Sequence, residues 1–328
     1  MPVWRDATRQ WATQQGTGDG RLVVLGIIQE QHAERAGLYA QWQQLDWPIL
    51  HDPINVIENR AVPIFVAIDE HGVVRSTRPK IDTLAADFLD VEFPAPAESN
   101  DSPADSLASA TPPDLSALRA AAESQNRAAA WQRYADAQAL WGPAAQREQA
   151  IAAYEKAIRS KPSGKSVDGD RHFRLGTAYR MRYDSPFRQA GDFQAAADHW
   201  GRALAIDPNQ YIWRRRIEQY GPRLNKPYPF YDWIETAQRE ITARGETPVE
   251  LQTPLTESEI ARPGRSLVAA GNQPEGAAAA EPKSPDPEGR INRDSQDLIQ
   301  AEVAVVPAKI KPGGTARVHI TFRPNVER

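Results

Sequence analysis

The sequence predicts a multidomain chain with an α/β module, an all-α block of helical hairpins and a short β tail, joined by disordered linkers. Short apolar runs alternate with helical periodicity over residues 1–93. A helical pattern recurs at an offset of 46 residues within 114–244. Two stretches, 94–113 and 245–297, are rich in Pro, Ala and acidic residues and hold too few large apolar residues to form a core. The β tail covers residues 298–328.

The first module begins with a helix whose apolar face carries Trp4, Ala7 and Trp11. A second helix follows from His32 to Leu45, and a third closes the module at residues 83–89. A turn at residues 70–72 precedes the last strand. The apolar runs of strand length lie at 22–28, 47–50, 62–69 and 73–77.

This order of strands and helices resembles the thioredoxin-like fold, including its peroxiredoxin-like members. The step Val62-Pro63 is similar to that fold's cis-proline, and Met1 falls near where its redox motif would stand. The resemblance implies a truncated thioredoxin-like module. The chain contains no cysteine, so we expect no thiol–disulfide exchange and no peroxide reduction, because both need a thiolate. The alternative is a thiol oxidoreductase whose cysteines lie upstream of Met1.

The helical block contains two similar helices, each ending near a proline. Ala150, Tyr154, Ala157 and Pro162 recur as Ala196, Trp200, Ala203 and Pro208. Together with the string Leu175-Gly176-Thr177-Ala178-Tyr179, they resemble the tetratricopeptide (TPR) repeat. Small residues would permit close helix crossing and prolines would end helices. The structural residues predicted for the chain are Pro63, Ala150, Pro162, Gly176, Tyr179, Ala196, Ala203 and Pro208.

Two further helical stripes are expected to cap the repeats, since two repeats alone bury little core. Trp213, Ile217 and Tyr220 form the first stripe, and the arginines at 214–216 are expected to point mostly outward. The second stripe contains Phe230, Ile234, Ala237 and Ile241.

The tail alternates apolar and polar residues on either side of a turn signal at residues 311–314. Val303 and Val305 share one face with Val318, Ile320 and Phe322. This pattern is similar to the opening strands of an immunoglobulin-like sandwich. We expect a partial β-sandwich hairpin, which is either a truncated domain or a strand pair awaiting a partner, because a lone hairpin is marginal in water.

The charge and residue composition of the chain argue against several classes of function. The net charge of −4 argues against nucleic acid as a partner, and no apolar run has the length of a membrane span. No signal peptide is visible, which favours the cytoplasm unless the true start lies upstream. The oligomeric state is not predicted. The six histidines are scattered, and we predict no catalytic residue, no metal and no cofactor. His51-Asp52 and His71 near Asp69 are candidate acid–base groups, and the alternative is an ordinary structural role at strand ends and turns.

Basic residues concentrate in the second repeat, at Arg171, Arg174, Arg180 and Arg182. One interpretation is a solvated helix face. The other is a groove that clamps an acidic peptide through charge-assisted hydrogen bonds, as tetratricopeptide grooves do. We expect a non-catalytic scaffold with a protein or peptide partner, held through these four arginines. A remnant without independent function is the third alternative.

Overall fold

The computed structural model describes residues 2–9, 11–12, 21–95, 112–160, 165–218, 220, 231–253 and 299–324, and these are mostly helical with short sheets. The helices are α1 Pro2–Thr8, α2 Ala33–Trp42, α3 Leu115–Gln125, α4 Ala128–Trp141, α5 Arg147–Arg159, α6 Lys165–Tyr183, α7 Asp192–Ile206, α8 Tyr211–Glu218 and α9 Trp233–Ala243. The strands are β1 Gly26–Ile28, β2 Ile49–His51, β3 Ala67–Ile68, β4 Val74–Ser76, β5 Ile299–Val306 and β6 Arg317–Pro324.

The N-terminal module contains two separate two-stranded sheets instead of one continuous sheet. β1 pairs with β2 in parallel, with Ile27 opposite Leu50. β3 pairs with β4 in antiparallel fashion. The strand expected over 62–69 is reduced to two residues, and the peptide bond between Val62 and Pro63 is cis. The chain between β2 and β3 leaves the module and packs on the helical block, which separates the two sheets.

The helical block is a stack in which each helix from α3 to α8 packs against the next one along the chain. Ala150, Ala196 and Ala203 are fully buried at these crossings. Gly176 on α6 lies so close to α7 that an added Cβ would stand 2.7 Å from Trp200 Cδ1. Trp200 is itself fully buried, and the crossing therefore depends on a residue without a side chain at position 176.

Tyr179 and Pro208 occupy the edges of the same stack. The Tyr179 hydroxyl donates a hydrogen bond to Glu155 Oε1 at 2.9 Å, and its ring stacks on His199. Pro208 is exposed just beyond the end of α7. Among the remaining predictions, Pro162, Phe230 and the stretches 96–111 and 254–298 lie outside the described residues.

Three apolar clusters join parts of the chain that are distant in sequence. The first contains Ile54 among the residues of α3 to α6. The third joins Leu38 of α2 to Ile234, Ala237 and Ile241 of α9. The N-terminal module therefore shares its buried residues with helices from two other regions.

Two residues of the predicted linker 245–297 pack against the third cluster. Val249 and Leu251 pack beside α2, and the Val249 amide donates to Gln41 Oε1 at 3.0 Å. Two well-spaced apolar side chains were enough to anchor this short extended stretch within an otherwise hydrophilic composition.

The C-terminal hairpin packs on α7 with the face that carries Ala304, Val306 and His319. Ala304 and Val306 enter the second apolar cluster, and Gln194 of α7 exchanges two hydrogen bonds with the backbone of Val305. The face that carries Val303, Val318, Ile320 and Phe322 is exposed instead. The expected apolar face exists, but the described residues leave it uncovered.

Candidate functional site

The four arginines predicted to line a binding groove lie inside the fold. Arg171, Arg174, Arg180 and Arg182 are between 2% and 5% exposed. Arg171 donates to Gln132 Oε1 at 2.9 Å and Arg182 pairs with Asp192 at 2.6 Å. Arg180 pairs with Asp184 at 2.9 Å. A buried guanidinium is stable only when it is paired, so three of the four serve the helical block itself.

Arg174 is the arginine that reaches beyond the helical block. Its Nη1 donates to Asp136 Oδ2 of α4 at 2.7 Å. Its Nη2 donates to the carbonyl oxygen of Asn55 at 3.4 Å and to Glu58 Oε1 at 3.5 Å. The four arginines therefore do not form an exposed basic groove: three are paired within the helical block, and Arg174 is covered by a segment of the same chain.

That segment is residues 52–60, which we call the docked segment. Ile54 is fully buried among the helices and acts as its anchor. The Asn59 carbonyl accepts a hydrogen bond from Gln210 at 3.1 Å, and Arg60 pairs with Asp207. Helical grooves bind peptides through the same kinds of contact: an apolar anchor residue, hydrogen bonds to the peptide backbone, and ion pairs.

The docked segment is held in its shape by its own side chains. Asp52 accepts hydrogen bonds from the amides of Val56 and Ile57, and Asn55 accepts one from the amide of Asn59. Asn55 and Glu58 adopt positive φ angles of 55° and 53°. Asparagine tolerates this conformation through local hydrogen bonds, so the segment presents Ile54 and Glu58 in a fixed arrangement.

A second contact between module and helical block is made by Arg216 of α8. This side chain is 5% exposed and donates to the carbonyls of Gln29 at 2.9 Å and Pro53 at 3.2 Å. Amphipathic spacing predicts that residues 214–216 point mostly outward. Arg216 points inward because two backbone acceptors of the module replace the water that it loses.

A third contact is an ionic network around His32. His32 Nε2 lies 2.8 Å from Asp184 Oδ2, and Asp184 also pairs with Arg180. Burial lowers the pKa of His32, but its hydrogen bonds to Asp184 and Glu30 outweigh this and raise it. Burial would raise the Asp184 pKa, yet Arg180 and His32 hold it well below its usual range. Asp184 is therefore ionised, and the network joins the module to the C-terminal end of α6.

Asp170 of α6 lies beside the docked segment and is 8% exposed. Burial raises the pKa of Asp170 to about 6, and the carboxylates of Glu58 and Asp136 add to this against the opposing charge of Arg174. This carboxyl group, at the contact between the docked segment and α6, therefore titrates close to neutral pH.

A cleft opens between the module and α8, next to the Arg216 contact. It has a volume of about 420 Å³. Its lining includes Ile27, Ile28 and Ile49 of the first sheet and Tyr211 and Ile212 of α8. Its charged lining residues are Glu30, Arg35, Arg215 and Arg216.

The residues weighed as acid–base groups have structural partners. His51 Nε2 lies 2.6 Å from the Glu30 carbonyl, and Asp52 shapes the docked segment. Asp69 accepts from the amides of His71 and Val73 and pairs with Arg75 at 2.6 Å. These contacts are those of ordinary turns and strand ends.

Two histidines that are distant in sequence meet between α6 and α7. His172 Nδ1 lies 2.9 Å from His199 Nδ1. Burial and the neighbouring His172 lower the pKa of His199 to about 3, so this ring is neutral. No group of three or more metal-ligating side chains occurs within the described part of the chain.

The residues that sequence reasoning missed are Glu30, His32, Asp184 and Gln210, together with the inward position of Arg216. Their distant partners are between 151 and 201 positions away along the chain. No periodicity signals such pairs.

Comparison with protein-family models, with curated proteins and with solved structures finds no match to this chain. Among the described helices, none combines the length and apolar character that crossing a bilayer requires.

Proposed function

We propose that this chain is a non-catalytic protein-interaction scaffold in which a tetratricopeptide-like helical block binds a turn-containing segment with an aliphatic anchor and an acidic residue. In cis, that segment belongs to a thioredoxin-like module without redox cysteines. The single observation that carries the proposal is the docked segment, which lies against the helical block as a peptide ligand would. Its anchor Ile54 is fully buried, and Arg174 contacts both its backbone and Glu58.

The chemistry of the docked segment defines the partner. An apolar residue fills the space among α3 to α6, and a carboxylate four positions later meets the guanidinium of Arg174. A partner protein with an aliphatic residue followed by an acidic one at this spacing would make the same contacts. Arginine is suited to this role because its donors bind a carboxylate and a carbonyl at once.

Competition between the docked segment and an added peptide tests the proposal. The double variant Ile54→Asp, Glu58→Lys removes the anchor and reverses the charge, so the segment should leave the helical block. A labelled peptide of residues 52–60 is then titrated and followed by fluorescence anisotropy. We expect saturable binding to the variant and about tenfold weaker binding to the unaltered chain, because a tethered segment competes at a high effective concentration.

The control peptide carries the same two substitutions and should bind neither protein. Circular dichroism checks that the double variant keeps its helices. If the helical variant fails to bind the peptide, or if both proteins bind it equally well, the helical block is not a peptide receptor.

A further inference from the structure

The cleft beside α8 has the composition of a ligand site. Three of its four charged lining residues are arginines, and the fourth is Glu30. The rest of the described lining is mostly aliphatic and aromatic. Small-molecule sites are typically apolar cavities of this size with a few converging polar groups.

Glu30 does not neutralise the basic wall. The hydroxyl of Tyr231 donates to both of its carboxylate oxygens, at 2.8 Å each. Burial would raise the Glu30 pKa, but His32, Arg216 and Arg35 lower it to about 2, so Glu30 carries one negative charge. Against three guanidinium groups, the charged lining keeps an excess of positive charge.

The arginines are held in place by the fold. Arg216 is fixed by the carbonyls of Gln29 and Pro53. Arg35 is 1% exposed, and its guanidinium lies 4.4 Å from the ring centre of Tyr231. The Arg215 guanidinium lies 5.8 Å from the ring centre of Tyr211. Guanidinium groups positioned on aromatic rings are preorganised, which lowers the entropic cost of binding an anion.

We propose that this cleft binds a small organic carboxylate with an aromatic or branched aliphatic body. The carboxylate would meet the guanidinium groups of Arg35 and Arg215, whose paired donors match its two oxygens. The body would lie against Ile27, Ile49 and Tyr211. A neutral or cationic molecule of the same shape lacks the charge that the arginines require.

Isothermal titration calorimetry on the full chain tests this site with phenylacetate as the probe. We expect saturable binding of phenylacetate, and no saturation with acetate, 2-phenylethanol or 2-phenylethylamine. Acetate lacks the apolar body, and the other two lack the negative charge.

The chain offers a matched pair of variants on α8. Arg215 lines the cleft, whereas Arg214 is exposed, does not line the cleft and pairs with Glu218; both guanidinium groups contact the ring of Tyr211, so this contact is matched in the two variants. Arg215→Gln should weaken phenylacetate binding by about tenfold, the scale of one charge-assisted hydrogen bond. Arg214→Gln should leave the Kd within about twofold, since an exposed ion pair contributes little. Arg215→Lys keeps the charge and should retain more affinity than Arg215→Gln.

Melting temperatures of the variants without probe show whether they are folded. The proposal is overturned if phenylacetate does not bind the folded chain, if the amine binds as well as the acid, or if Arg215→Gln and Arg214→Gln lose affinity equally.

Discussion

The helical block and the N-terminal module differ in the exposure of their large apolar side chains. In the block, Tyr154, Phe173, Trp200 and Trp213 are at most 1% exposed. In the module, many apolar side chains on or near the short strands are 46% to 63% exposed, among them Val23, Leu25, Ile27, Leu50, Val66, Ile68 and Val74. Both regions contain large hydrophobic residues, but most of those in the helical block are covered by neighbouring helices, whereas many of those in the module are not.

The N-terminal module depends on contacts outside itself for its buried residues. Its fully buried residues Leu38 and Ile54 belong to clusters dominated by helices outside the module. Its polar contacts to the block run through Arg174, Arg216 and Asp184. The module is therefore stabilised by docking on the helical block more than by its own sheets, which are two-stranded and marginal alone.

The largest effect is expected inside the helical block, where packing is tightest. Gly176→Leu adds a Cβ atom that would lie 2.7 Å from Trp200 Cδ1 and 2.9 Å from the carbonyl oxygen of Ala196. We expect a loss of about 3 kcal/mol or more in the free energy of unfolding, measured by urea denaturation with circular dichroism.

Gly201→Ala is the matched control, since its nearest neighbour is Ile217 Cδ1 at 3.9 Å. A helix-interior alanine should stabilise by about 0.5–1 kcal/mol. Equal effects of the two substitutions would mean that α6 and α7 do not cross at Gly176.

Removing the anchor of the docked segment should have the next largest effect. Ile54→Ala deletes a fully buried side chain and should cost about 2–4 kcal/mol. Ile57→Ala in the same segment alters a side chain that is 46% exposed and should cost less than about 0.5 kcal/mol. Amide hydrogen exchange of β1 and β2 should accelerate in Ile54→Ala and not in Ile57→Ala. If exchange is unchanged in Ile54→Ala, the stability of the module does not depend on its docking on the helical block.

The titration of Asp170 should give a smaller effect that depends on pH. The folded pKa of about 6 lies above the ordinary value of 3.8, so the stability linked to the protonated carboxyl is full below pH 4 and is lost as pH rises through 6. Asp170→Asn should therefore gain about 1–2 kcal/mol over the unaltered chain at pH 7.5 and nothing at pH 4. Chemical denaturation at both pH values measures this, and a gain independent of pH would contradict the assignment.

The smallest effect is expected on the exposed face of the C-terminal hairpin. Ile320 is 57% exposed, whereas Ala304 is 2% exposed against α7. Ile320→Thr should change the free energy of unfolding by less than about 0.5 kcal/mol, and Ala304→Leu should cost about 1–3 kcal/mol by overpacking. The reverse order, seen in thermal denaturation, would show that the apolar face of the hairpin is the packed one.

Helices and strands whose apolar residues follow a regular local spacing could be predicted from the sequence. The helical stripes through Ala150, Trp200 and Ile234 follow from the helix period, and all three residues are buried. The hairpin likewise follows from alternation and from the turn signal at 311–314, where Gly313 has a φ of 78°.

The candidate site could not be predicted in the same way. Amphipathic patterning assigns charged residues to the outside of a helix, so it places Arg174 and Arg216 in solvent. They are buried because Asn55, Gln29 and Pro53 supply carbonyl acceptors from up to 187 positions away. Patterning also identifies an apolar strand face without telling whether anything covers it, as the hairpin shows.

The central claim is that residues 52–60 dock on the helical block, and a distance between spin labels tests it most directly. The chain has no cysteine, so Val56→Cys and Asn209→Cys provide two unique labelling sites at exposed positions on either side of the junction. Pulsed electron paramagnetic resonance on the full chain should give one narrow distance distribution, which broadens when Ile54→Asp and Glu58→Lys are added. A broad distribution in the chain with native Ile54 and Glu58 would contradict docking.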